Sequence, residues 1–175
     1  MKSEKIRRIL VIRLSSLGDI LLTTPMLESL REAFPLARID FCTKEQYSYL
    51  LKLDPGIHKV IKAKNHAGFR DLRDLRQLIK LSNYNLIIDA HNNFRSIYLR
   101  MFQGAKTLVF RKYSLRKFLL VNFKINLMKK LPPVTERYRQ IITGIPALEF
   151  KTENPKPVVY TNEASQKAVD NMISS

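Results

Sequence analysis

The residues with the clearest chemical potential lie in one short turn, Arg13-Leu-Ser-Ser-Leu-Gly-Asp19. It joins an unbroken apolar run, Ile9 to Ile12, to a stretch with apolar residues at helical spacing: Met26, Leu27, Leu30, Ala33 and Phe34, closed by Pro35. An apolar run of that length is what a strand covered on both faces requires. Strand, polar turn and helix make the opening half of a βαβ unit, and open α/β sheets place their chemistry at the carboxyl ends of the strands. Asp19 is the carboxylate at that point. It can act as a general base toward a substrate hydroxyl, or it can cap its own helix. A helix-terminal position lowers its pKa and makes it a weak base unless a closed site removes water. With a single glycine and no Gly-Lys-Ser/Thr, the turn is neither a dinucleotide fingerprint nor a P-loop.

A second group follows another short apolar run. Leu86 to Ile88 ends in Asp89-Ala-His-Asn-Asn-Phe-Arg95, so His91 and Arg95 fall on the same rim as Asp19 in a parallel sheet. Arg95 can hold a carboxylate or phosphate through a two-pronged hydrogen bond, or it can be a solvated helix residue. His58, His66 and Cys42 do not have metal-ligand spacing, and no metal site is expected.

These groups need a scaffold, and the pattern supplies one. Arg38 to Thr43 reads as a second strand, Glu45 to Leu53 as a short helix and Asp54-Pro-Gly56 as a turn. His58 to Ala63 reads as a third strand, and Leu72 to Leu81 as an amphipathic helix. Then come strand 86–88, a helix from Arg95 to Phe102, and a fifth strand from Thr107 to Phe110. That alternation predicts a Rossmann-like, doubly wound parallel α/β sheet. Leu115 to Leu131 is apolar and basic, Glu136 to Thr143 is a helix with Gly144 as its cap, and 151–157 is a linker. Val158 to Tyr160 begins a further βα element, with a closing helix from Glu163. The expected organisation is a domain over 1–150 and a linker with the start of an interdomain segment over 151–175.

The 175 residues carry 31 Lys and Arg against 15 Asp and Glu, a net charge of +16, which favours a polyanionic partner. No acidic residue separates Asp89 from Glu136, while ten basic residues fall in that span, interleaved with aromatics that include Phe102, Phe110, Tyr113, Phe118 and Phe123. One cysteine excludes an internal disulfide, and no uncharged apolar run is long enough to cross a bilayer. A cytoplasmic protein is expected.

Ile9 to Pro35, with Leu22-Thr-Thr-Pro-Met-Leu27 after the turn, resembles the start of glycosyltransferase family 9, the bacterial heptosyltransferases of the lipopolysaccharide inner core. Asp54-Pro55, Val60-Ile61, Ile88 to Ser96, and Glu136-Arg-Tyr138 before Gly144-Ile145 match in the same order. The resemblance implies the N-terminal acceptor-binding domain of an inverting, metal-independent GT-B enzyme. Asp19 becomes its base, with Arg13, Ser15, Ser16 and Gly18 facing the acceptor, and His91 and Arg95 beside them. It implies a lipid-linked, anionic saccharide acceptor and a peripheral place on the inner face of the inner membrane. The family's donor half brings a tryptophan-proline motif, and this chain has no Trp. An acceptor domain without its donor domain is therefore expected, with the ADP-heptose donor bound only in an intact enzyme or through a separate donor-domain chain, and no cofactor. The rival reading is a basic, non-catalytic nucleic-acid-binding domain, although no nucleic-acid-binding signature is present and no such partner is expected.

Overall fold

A computed structural model describes residues 6–110, 132–143, 145 and 156–160. Five parallel strands form one sheet: β1 (Arg8–Ile12), β2 (Arg38–Lys44), β3 (Lys59–Ala63), β4 (Leu86–Asp89) and β5 (Lys106–Val109). Their spatial order is β3-β2-β1-β4-β5. The chain winds outward from β1 to β3 and then crosses to β4 on the other side of β1. The direction reverses between β1 and β4, which is the switch point where doubly wound sheets open a crevice.

The strand residues divide cleanly between the two faces. Ile9, Val11, Ile39, Phe41, Leu86 and Ile88 point one way, against Ile20, Met26, Leu27 and Leu30. These last four come from α1 (Leu17–Leu21) and α2 (Thr24–Ala33). Leu10, Ile12, Cys42, Ile61 and Ile87 point the other way, against Ile79 and Leu99. Those belong to α3 (Phe69–Leu81) and α4 (Phe94–Arg100). Residues 9 to 12 are all fully buried because both faces are covered. Cys42 sits in the second layer, and burial pushes its thiol up to about 12.

Besides shifts of a few residues at helix ends, among them the expected Glu136–Thr143 helix at Val134–Arg139, three elements differ from the sequence reading. The first helical run is two helices: α1 ends at Leu21, and α2 restarts at Thr24 with Pro25 in its first turn, where a missing amide costs nothing. Thr23 Oγ1 spends its proton on the Ile20 carbonyl at 2.6 Å. The short helix after β2 is a 3₁₀ helix, Glu45–Leu51. Val158 to Tyr160 does not join the sheet. It lies on α2, the Val158 amide donating to Thr24 Oγ1 at 2.9 Å and Tyr160 Oη to Glu28 Oε1 at 3.0 Å. The last described helix, α5 (Val134–Arg139), returns to the first layer, where Tyr138 is 1% exposed. The expected apolar-basic stretch 115–131, the Gly144 cap and the closing helix lie outside the described residues.

Candidate functional site

β1 delivers its last residues to the carboxyl edge of the sheet, and the chain then has to turn. Arg13, only 8% exposed, donates Nη1 to the Ala90 carbonyl at 2.7 Å, and the Ala90 amide donates to the Ile12 carbonyl at 3.0 Å. The ends of β1 and β4 are thus bound into one rim, as their shared position in the sheet predicts.

The other arm of Arg13, Nη2, forms an ion pair with Asp19 Oδ2. The same oxygen accepts from the Ser16 amide at 3.3 Å and the Ser16 hydroxyl at 3.1 Å. Asp19 therefore does tie off the turn before α1, as the capping reading required. Its side chain is still 36% exposed, and among the described residues Oδ1 has one long contact, from Tyr138 Oη at 3.4 Å. Burial pushes the Asp19 carboxyl up. The Arg13 charge and the hydrogen bonds from Ser16 and Arg13 outweigh that and hold it below its ordinary value.

Tyr138 is the residue that sequence spacing missed. Its ring stacks on Phe110 at 4.7 Å between centroids and carries the Arg13 guanidinium 5.6 Å from its centre. Burial, then the neighbouring Asp19 charge working against Arg13, pushes its hydroxyl up to about 12, so it stays a proton donor to Asp19. The only hint in the chain was the Glu136-Arg-Tyr138 match to the resembled family.

The remaining residues fall into three groups. Ser15 is half-buried; Ser16 and Gly18 are exposed. A Cβ added at Gly18 would meet nothing within 4 Å, and Gly18 does not have the left-handed φ that demands glycine, so the turn faces open space there. Arg95, the second residue of α4, is exposed, and His91 is half-buried in the preceding loop. Arg13 departs from the expected picture of a free acceptor contact, because both its arms and its planar face are occupied within the protein. Among the described residues, no cluster of His, Cys, Asp or Glu could hold a metal ion.

Asp89 shares the rim and behaves differently. It is fully buried and accepts from the His91 and Asn92 amides at 3.0 and 2.7 Å, Ser96 Oγ at 3.0 Å and Arg100 Nε at 2.8 Å. That ring of donors shapes the loop that carries His91 and starts α4.

No family model matches the chain. It is 27% identical over 106 residues to lipopolysaccharide heptosyltransferase 1 of Pseudomonas aeruginosa, covering 55% of this chain and 30% of that protein. It is 27% identical over 110 residues to the enzyme of the same name from Escherichia coli K12, covering 57% and 34%. The matched region thus spans about a third of these curated relatives. In fold, it is similar to a glycosyltransferase family 9 protein from Veillonella parvula, with a TM-score of 0.70 and 23% identity over 96% of this chain and 49% of that one. It is also similar to Escherichia coli ADP-heptose lipopolysaccharide heptosyltransferase II, with a TM-score of 0.67 and 20% identity over 95% and 50%. The resemblance to glycosyltransferase family 9, first carried by the turn from Arg13 to Asp19, thus recurs in the curated relatives and in the fold.

Proposed function

We propose that this chain is the acceptor-binding half of a heptosyltransferase-like, inverting glycosyltransferase. The observation that carries the reading is Asp19: one carboxylate oxygen is fixed by Arg13 and Ser16, while the side chain stays partly open at the carboxyl end of β1. A hydroxyl of the acceptor sugar would lie against Oδ1, over the open surface at Gly18. As that hydroxyl attacks the anomeric carbon of a nucleotide-linked heptose, Asp19 takes its proton and the nucleoside diphosphate leaves as an anion. One carboxylate is enough, because the leaving group needs no acid; glycoside hydrolysis differs in needing two.

The ion pair with Arg13 makes Asp19 a poor base in the open site. Covering the rim would strip water from the carboxylate and raise its proton affinity. The nucleotide sugar would be held by a second domain; this chain covers only about half the length of the solved relatives. Arg95, exposed at the start of α4, would hold an anionic group of a lipid-linked acceptor.

Two measurements test the reading. Titrating this chain with lipopolysaccharide core oligosaccharide should show binding that Gly18→Ala weakens without loss of fold, since the added methyl meets no protein atom. In the chain joined to a donor domain, Asp19→Asn should lower transfer by about 10²- to 10⁴-fold while oligosaccharide binding persists. Full transfer by that variant removes Asp19 from the role.

A further inference from the structure

The layer formed by α3 and α4 presents apolar side chains that the core does not use. Phe94 is 93% exposed, Phe102 78% and Phe69 72%. They form one surface: Phe69 contacts Tyr98 at 5.8 Å between centroids, Phe94 precedes Tyr98 by one helical turn, and Arg76 bridges the two helices. Its guanidinium lies 4.9 Å from the centre of the Tyr98 ring and 5.7 Å from that of Phe102. Arg70, Arg73 and Lys80 on α3, and Arg95 on α4, stand exposed around them. The acids on α3 are already engaged, Asp71 with Lys64 at 2.6 Å and Asp74 with Arg73 at 3.5 Å.

We propose that this aromatic and arginine surface of α3 and α4 docks the protein on an anionic lipid bilayer. The pairing of residue types selects the occupant. Phenylalanine tips gain by entering the boundary between headgroups and acyl chains, and arginines beside them gain from anionic headgroups. A nucleic acid would use ring faces for base stacking, but Arg76 takes one face of both Tyr98 and Phe102. The net charge of +16 supplies the attraction over distance. Phe94 also follows directly on the loop whose Ala90 carbonyl holds Arg13. A bilayer against this face therefore meets the rim of the Asp19 site, and a lipid-linked acceptor would arrive there without leaving the membrane. In that last respect the proposal deepens the reading above.

Cosedimentation of the chain with vesicles of phosphatidylcholine, with and without phosphatidylglycerol, tests it. The vesicles contain no saccharide lipid, so failure here leaves the acceptor reading standing, and failed oligosaccharide binding leaves this one standing. Binding is expected only with phosphatidylglycerol. The double variant Phe94→Ser with Phe102→Ser should lower partitioning by about tenfold or more, and Arg73→Gln and Lys80→Gln by roughly fivefold each. All four side chains are exposed, so thermal unfolding should be unchanged. Lys52→Gln, exposed on the opposite layer, should change partitioning by less than about twofold, because screening confines its reach. Equal binding by the double phenylalanine variant, or equal binding to neutral vesicles, overturns the proposal. So does self-association that the double variant abolishes in a chain that ignores vesicles, which would make this face a contact between copies.

Discussion

Asp19 and Asp89 stand at the same edge of the sheet, after neighbouring strands, and each pairs with an arginine. They are nonetheless opposites. Asp89 is sealed from water and accepts from two amides, a hydroxyl and Arg100. Among the described residues, Asp19 crowds its donors onto one oxygen and leaves the other to a single long contact from Tyr138. A carboxylate with every lone pair used builds a loop. One with spare capacity and exposure can meet a substrate.

The sharpest way to break that contrast is to remove both groups and compare stability. Asp89→Ala empties a fully buried position and leaves Arg100 and two loop amides without their acceptor, and should cost about 3–5 kcal/mol. Asp19→Ala gives up an ion pair whose carboxylate is partly open to water, and should cost about 1 kcal/mol. Urea unfolding at neutral pH measures both. Equal costs would mean that Asp19 is as structural as Asp89 and would remove the argument for its availability.

Asp54 extends the comparison to a third carboxylate. At 4% exposure it pairs with Arg31 and accepts from the Gly56 amide at 2.9 Å. Arg31 also holds Glu28 at 2.6 Å, so its head is fixed. A Cβ on Gly56 would overlap the end of the Arg31 side chain, so the guanidinium has to shift against its two ion pairs. Gly56→Ala should therefore lose about 2 kcal/mol in the same unfolding assay. A neutral outcome would show that Asp54 is less dependent on its arginine than Asp89 is.

The scaffold of this comparison was readable in advance, and the contacts that distinguish the two sites were not. Ile9 to Ile12 and Leu86 to Ile88 could be read as buried strands because short apolar runs closed by polar turns are too brief for helices, and their ends placed Asp19 and Asp89. Arg13 and Asp19 lie six residues apart, within reach of local reasoning, although the loss of Arg13 to an internal pair was not visible. The break between α1 and α2 did carry a mark, because Pro25 suits the first turn of a new helix, but the Thr23 hydroxyl bond to the Ile20 carbonyl at the junction was not visible. Val158 to Tyr160 looks like a strand by composition, but its partner is the flank of α2. Tyr138 meets Asp19 across 119 residues, a distance at which only a tertiary fold can pair them. Assigning a role to Asp19 needed the family resemblance as well, because the turn alone allows a cap as readily as a base.

Titration probes Asp19 on a finer scale. The folded value of Asp19 lies below its ordinary one, so its ionised form is the one the fold favours. The resulting stability is present at neutral pH, above the unfolded value of about 4, and is lost as pH falls through the lower folded value. Carboxyl carbon resonances followed by NMR should place Asp19 below free aspartate. Arg13→Met should bring it upward, since desolvation then acts with less opposition. An unmoved Asp19 would mean that Ser16, not Arg13, sets its ionisation.

The smallest effect belongs to Tyr138, and it decides whether the open oxygen of Asp19 is tuned from a distance. Tyr138→Phe keeps the stack on Phe110 and the Arg13 contact and removes only the hydroxyl, so the neutral-pH cost should be at most about 1 kcal/mol. The variant should act at alkaline pH. The wild-type hydroxyl ionises near 10 when unfolded and at about 12 when folded, so the fold favours its protonated form. That preference costs stability as pH rises from about 10 to 12, in step with the buried Cys42 thiol. Tyr138→Phe should flatten the part of the decline that belongs to the phenol. Its Asp19 resonance should also titrate slightly higher, one donor to the carboxylate having gone. If neither changes, the 3.4 Å contact carries no hydrogen bond, and the free oxygen of Asp19 depends on solvent alone.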